Sequence, residues 1–116
     1  MNPEVKALWT EALRSGNYKQ GRGQLHYRGE AGELFCCLGV LCDLAVKAGV
    51  VLPVDFAPTK VRYEGLDLPP TIRDWAGLNR ASPHVVVPGH GDDSLANLND
   101  DRWTFDQIAD LIAVAL

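Results

Sequence analysis

Nine residues between Tyr18 and Arg28, with two cysteines shortly after, carry the side chains best suited to chemistry. Lys19, Arg22 and Arg28 bring fixed positive charge, and His26 stands among them. Gly21 and Gly23 allow positive φ and close backbone approach. Successive N–H groups in a turn of this kind form a concavity that holds oxyanions. Tyr18 or Tyr27 offers a flat surface for a base or sugar, and Gln20 lies in the same turn, N-Y-K-Q-G-R-G-Q. Cys36 and Cys37 then open an apolar helix, whose first turn presents unpaired N–H groups and the positive end of a dipole. Together these features predict a phosphate cradle built from the Gly21–Gly23 backbone, the Lys19 and Arg22 charges and the start of that helix. Between Glu11 and Glu30 the charged side chains are Arg14, Lys19, Arg22 and Arg28, in a chain whose formal net charge is -4.

Other chemistries fit the residues less well. No G-K-[ST] follows the glycines, so the turn is not a Walker loop. The G-x-G has neither a preceding strand nor a third glycine, so it is not a dinucleotide fingerprint. A cysteine nucleophile would need Cys36 or Cys37 ionised at the helix N-terminus with His26 as its base. The segment around them is among the most apolar in the chain, which favours buried, inert thiols. There is no C-x-x-C, and Cys37 and Cys42 do not share a helix face, which argues against zinc. His90-Gly91-Asp92-Asp93 reads as a solvated acidic turn, with a hard-metal loop as the alternative. Asn97, Asn99, Asp100 and Asp101, just before Trp103, read as caps and satisfiers of loop backbone.

The frame that positions these residues is a single α+β domain over residues 1–116, since domains cluster at roughly 100–150 residues. The 47% hydrophobic content supplies a core without cross-links, and three cysteines, two of them adjacent, do not make a disulfide framework. A reducing cytoplasm follows. The N-terminus lacks a signal-peptide core, and the longest apolar run, Leu34 to Cys42, is too short to cross a bilayer. The acidic balance weighs against general nucleic-acid binding.

Asn2, Pro3 and Glu4 start a first helix whose apolar face is Val5, Leu8, Trp9, Ala12 and Leu13, and Ser15-Gly16-Asn17 stops it. Leu25–Arg28 and Glu33–Phe35 read as an antiparallel hairpin. The helix from Cys36 to Lys47 is apolar most of the way round, which predicts a buried central helix. Residues 50–54 and 61–63 read as strands, with 56–60 a loop between them. A short helix over Ile72–Gly77, a strand over His84–Val87 and a short turn at Leu95–Leu98 follow. A capping box, Thr104-x-x-Gln107, opens a last helix with Phe105, Ile108, Leu111, Ile112 and Ala115 on one face. The sum is a small, mainly antiparallel sheet packed with a central buried helix and N- and C-terminal helices.

The blocks W-T-E-A-L-R-S-G-N-Y-K-Q-G-R-G-Q-L (Trp9–Leu25) and F-C-C-L-G-V-L-C-D-L (Phe35–Leu44) resemble a group of small uncharacterised phage and prophage proteins. L-P-P-T-I-R-D-W-A-G-L (Leu68–Leu78), L-A-N-L-N-D (Leu95–Asp100) and the final F-x-x-I-A-x-x-I helix are similar too. The resemblance implies a phage protein in a bacterial cytoplasm and assigns no active site. By analogy with small phage proteins that soak up nucleotide signals of bacterial immunity, the expected function is non-enzymatic sequestration of a phosphorylated small molecule, with a homo-oligomer compatible with it. The expected site is Tyr18, Lys19, Gln20, Gly21, Arg22, Gly23, His26, Tyr27, Arg28, Cys36 and Cys37, with no catalytic residue, metal or cofactor. Two alternatives stand beside it: an inhibitor that docks a host protein through the basic face, and a cysteine-dependent hydrolase or transferase.

Overall fold

Asn2 accepts a hydrogen bond from the Glu4 N–H, and Pro3 begins the first helix, α1 (Pro3–Arg14). The computed structural model describes residues 1–30, 32–50 and 67–116. Seven further elements have bounds close to their expected positions: β2 (His26–Gly29), β3 (Gly32–Phe35), α2 (Cys37–Lys47), α3 (Pro70–Ala76), β4 (His84–Val87), α4 (Leu95–Asp100) and α5 (Phe105–Ala115). The strands read at 50–54 and 61–63, and the loop between them, lie outside the described residues except for Val50.

Two short strands were not legible. β1 (Lys19–Gln20) runs parallel to β3, so the three-stranded sheet has the order β1-β3-β2 with β3 in the middle. β5 (Gly91–Ser94) pairs antiparallel with β4, where the sequence suggested a solvated or metal-binding turn. The fold is therefore α+β, with two small, mostly antiparallel sheets among the described residues. The capping box of α5 forms as expected, with Thr104 and Gln107 each accepting from the other's backbone N–H.

Helix α2 is the axis. Cys37 through Asp43 and Ala45 are all buried, which is the burial expected of a helix that is apolar on most sides. α1 packs chiefly on α5 and also on α2, and Trp9 of α1 is fully buried with its indole N–H donating to the Cys37 carbonyl at 2.9 Å. Burying a ring of this size contributes on the order of 3 kcal/mol, and the hydrogen bond removes the cost of an orphaned donor. Close to that point the chain entering β2 crosses the first turn of α2. A side chain at Gly39 would place its Cβ 1.7 Å from the Leu25 carbonyl oxygen, so only glycine lets the two backbones approach. The same carbonyl accepts the Cys36 N–H at 3.0 Å.

Candidate functional site

The glycine turn leads from β1 toward β2, and the N–H groups of Gly21, Arg22 and Gly23 each have a partner within the chain. Gly21 N–H donates to the Phe35 carbonyl at 2.7 Å, extending the β1–β3 pairing by one residue. Gly23, at φ +84, donates to Asp100 Oδ1 at 2.9 Å, and the Arg22 N–H lies 3.4 Å from Tyr27 Oη. The tight packing at Gly21 comes from protein, not ligand: a Cβ there would meet Tyr27 Cε1 at 2.7 Å and Leu34 Cβ at 2.8 Å. The turn is thus not an open cradle: the oxyanion that meets Gly23 is the chain's own Asp100 carboxylate.

Asn99, fully buried at the end of α4, ties the turn down. Its Nδ2 donates to the Gly21 carbonyl at 2.7 Å, and its Oδ1 accepts from Gln20 Nε2 at 2.9 Å. Gln20 Nε2 also donates to the Trp103 carbonyl at 2.7 Å. The other task of Asn99 Oδ1 is to accept the Cys37 N–H at 3.2 Å, which fills the start of α2 with an amide oxygen instead of a phosphate. Cys36 is the N-cap of α2, and its Sγ accepts from Gly39 N–H at 3.4 Å. The expectation that this helix start receives a ligand is therefore also corrected: its donors are met from within a dry core.

Burial decides the cysteine chemistry. Cys36, Cys37 and Cys42 are buried free thiols. Desolvation pushes the Cys36 thiol up to about 11 and also raises those of Cys37 and Cys42. A helix dipole is worth about 1 kcal/mol at such a terminus, too little to offset that burial. The thiols therefore stay protonated at neutral pH, and the protonated form is not a nucleophile. His26, the base that a cysteine enzyme would need, is buried with its Nε2 3.3 Å from Glu33 Oε1 and its ring against Phe35.

The opposite flank of α2 is different. Asn17, Tyr18, Lys19, Glu33, Phe35, Asp43 and Lys47 line a hollow of about 440 Å³, within the range of small-molecule sites. Asp43 is a buried carboxylate on α2, and both Tyr18 and Lys47 hold it. Tyr18 Oη donates to Asp43 Oδ2 at 2.6 Å, and Lys47 Nζ lies 3.3 Å from the same oxygen, one turn along α2. Lys47 Nζ also donates to Tyr18 Oη at 3.0 Å, closing a triangle. Partial burial, followed by the Asp43 hydrogen bond, raises the Tyr18 phenol above its ordinary value. The Tyr18 hydroxyl is the main cause that raises Lys47. The Tyr18 and Phe35 rings meet edge to face at 5.0 Å and form the apolar part of the wall. Glu33 faces Arg28 Nη2 at 3.6 Å as well as His26. The hollow thus carries two lysines, Lys19 and Lys47, and two carboxylates, Asp43 and Glu33, with Arg28 paired to Glu33.

The cations that the sequence groups are therefore divided. Lys19 borders the hollow and Arg28 reaches it through Glu33. Arg14 is drawn away to Asp110 of α5 at 2.6 Å. Arg22 is exposed and makes no side-chain ion pair among the described residues. Asp43, Glu33, Phe35, Asn17 and Lys47 were not anticipated. The available signal was Asp43 itself, a lone charge inside an apolar helix, which needs partners to be buried, and Lys47 stands at the i+4 position that supplies one.

The expected acidic turn becomes β5. His84 Nδ1 meets Asp92 Oδ2 and His90 Nε2 meets Asp93 Oδ2, each at 2.9 Å. The His90 hydrogen bond, followed by that of Asn97, holds the Asp93 carboxyl below its ordinary value. Among the described residues no group of three or more His, Cys, Asp or Glu side chains is placed to hold a metal ion. Nor is any helix among them long and apolar enough to cross a membrane.

No curated protein and no solved structure matches this chain. Over its whole length, residues 1–116, the sequence matches the family described as a domain of unknown function, DUF8296, and the chain belongs to that family.

Proposed function

We propose that the protein is a non-enzymatic binding protein for a phosphorylated small molecule, held in the hollow beside α2. The observation that carries this reading is the hollow itself, about 440 Å³, where the Lys19 and Lys47 side chains stand beside the edge-to-face rings of Tyr18 and Phe35. In a molecule of net charge -4, two lysines at one hollow, with Lys47 exposed, give an anion a place to go. Lys19 and Lys47 neutralise phosphate, and the Tyr18 and Phe35 rings flank a base or sugar. The buried, protonated thiols favour binding over cysteine chemistry. By analogy with small phage proteins that soak up nucleotide signals of bacterial immunity, the ligand proposed is such a signal, removed from circulation by a phage-encoded sponge in the host cytoplasm.

The test is thermal unfolding against a panel of cyclic and linear nucleotides, because a ligand bound only by the native state raises apparent stability by mass action. At least one phosphorylated compound should raise the midpoint for the wild type and for Arg22→Gln, and the shift should disappear in Lys47→Met. A shift that survives Lys47→Met would move the ligand elsewhere.

A second reading has its own observation. Arg22 is exposed and lacks a carboxylate partner among the described residues, as a cation reserved for the acidic patch of a host protein would be. In that case Arg22→Gln, not Lys47→Met, is the variant that loses inhibition of the host protein.

A further inference from the structure

We infer that the turn at Arg22–Gly23 is an oxyanion site which the chain keeps occupied with its own Asp100, and that a phosphate group competes with that carboxylate for it. The occupant identifies the chemistry. Gly23, in a left-handed conformation, aims its N–H at Asp100 Oδ1 at 2.9 Å, a charge-assisted hydrogen bond. The neighbouring Arg22 N–H reaches only Tyr27 Oη, at 3.4 Å, which is long for an N–H···O bond. The same residue carries a guanidinium that is exposed and has no carboxylate partner among the described residues. Asp100 thus satisfies one donor of the turn and leaves its fixed charge unanswered. A phosphate can accept the Gly23 N–H, take the weakly bonded Arg22 N–H and pair with the guanidinium.

The frame around the turn makes the exchange feasible. Asn99 is fully buried and holds the Gly21 carbonyl, and Gly21 N–H is fixed to Phe35, so the turn keeps its shape when its occupant changes. Asp100 is exposed and can leave without opening the core. It closes α4 next to Asp101, at the end of a helix where a carboxylate is least favoured. Asp100 acts here as a positioning residue and internal competitor, keeping wild-type affinity for phosphate low. The site is separate from the hollow beside α2, and neither depends on the other.

The experiment is a titration of the full chain with inorganic phosphate at constant ionic strength, followed through backbone amide resonances. The proteins are the wild type, Asp100→Asn and Asp100→Asn/Arg22→Gln. Asparagine keeps an acceptor for Gly23 and removes the charge. The Gly23 and Arg22 amides of Asp100→Asn should move saturably, with an affinity about fivefold or more above wild type, the factor one like charge at contact distance is worth in water. The double variant should lose the response. Asp100→Ala, which also removes the acceptor, should bind at least as tightly as Asp100→Asn. Unmoved Gly23 resonances in Asp100→Asn, or an equal response without Arg22, would overturn the inference. Movement of the Lys19 and Lys47 amides reports on the hollow independently.

Discussion

The two flanks of α2 use the same kinds of residue for opposite purposes. On the flank facing α4, the turn after β1, Asn99 and the first turn of α2 form a closed network of hydrogen bonds within the chain. On the other flank, Tyr18, Asp43 and Lys47 are bonded to one another yet still border a hollow. The network that looks most like a ligand cradle in sequence is the one that holds the fold. The difference lies in burial: Asn99 is fully buried and Lys47 is exposed, so removing one leaves orphaned groups in a dry core, while removing the other leaves groups that water can serve.

Substitutions should separate the two flanks by size of effect. Asn99→Leu strands the Cys37 N–H, the Gly21 carbonyl and one Gln20 contact, and should cost about 4 kcal/mol in urea unfolding, at 1–3 kcal/mol for each buried group. A cost under about 1 kcal/mol would mean that the network is not closed. Gly39→Ala forces its Cβ against the Leu25 carbonyl and should cost about 3 kcal/mol, or prevent folding. Tyr18→Phe, on the open flank, loses a hydroxyl bridge and should cost about 1 kcal/mol by the same measurement. Arg14→Ala, at an exposed pair, should change stability by less than about 0.5 kcal/mol.

The thiols supply a pH test of the closed side. Cys36 titrates near 9.0 in the unfolded chain and is pushed up to about 11 in the native one. A raised native value means that its contribution to stability is complete below pH 9.0 and is lost as pH rises toward 11. Unfolding midpoints should therefore fall across that interval, and iodoacetamide should label the native protein slowly at neutral pH. Rapid labelling would restore the cysteine-enzyme reading.

Much of the fold was legible because it rests on local signals. Asn2 with Pro3 and Thr104 with Gln107 mark helix starts whose caps form as read. The apolar circumference of α2 announces its burial, and Trp9 is core as its helical spacing suggests. β1 was not legible, because a two-residue strand carries no periodicity, and its pairing with Leu34 and Phe35 is non-local. The candidate site was half legible for a related reason. Composition reveals that Lys19, Arg22 and Arg28 are near in sequence, but not that Glu33 answers Arg28 or that Asp100, far along the chain, meets Gly23. Sequence proximity gathers charges; the fold decides which of them are already spent.

The central claim is that an anion is held beside Lys47 and Lys19 in the hollow. Native mass spectrometry of the protein purified from bacterial cytoplasm measures this most directly, comparing the wild type with Lys19→Met/Lys47→Met. The account predicts a retained phosphorus-containing small molecule on the wild type and bare protein for the double variant. The same bound mass on both, or none on a wild type that also fails to respond to the nucleotide panel, would contradict it.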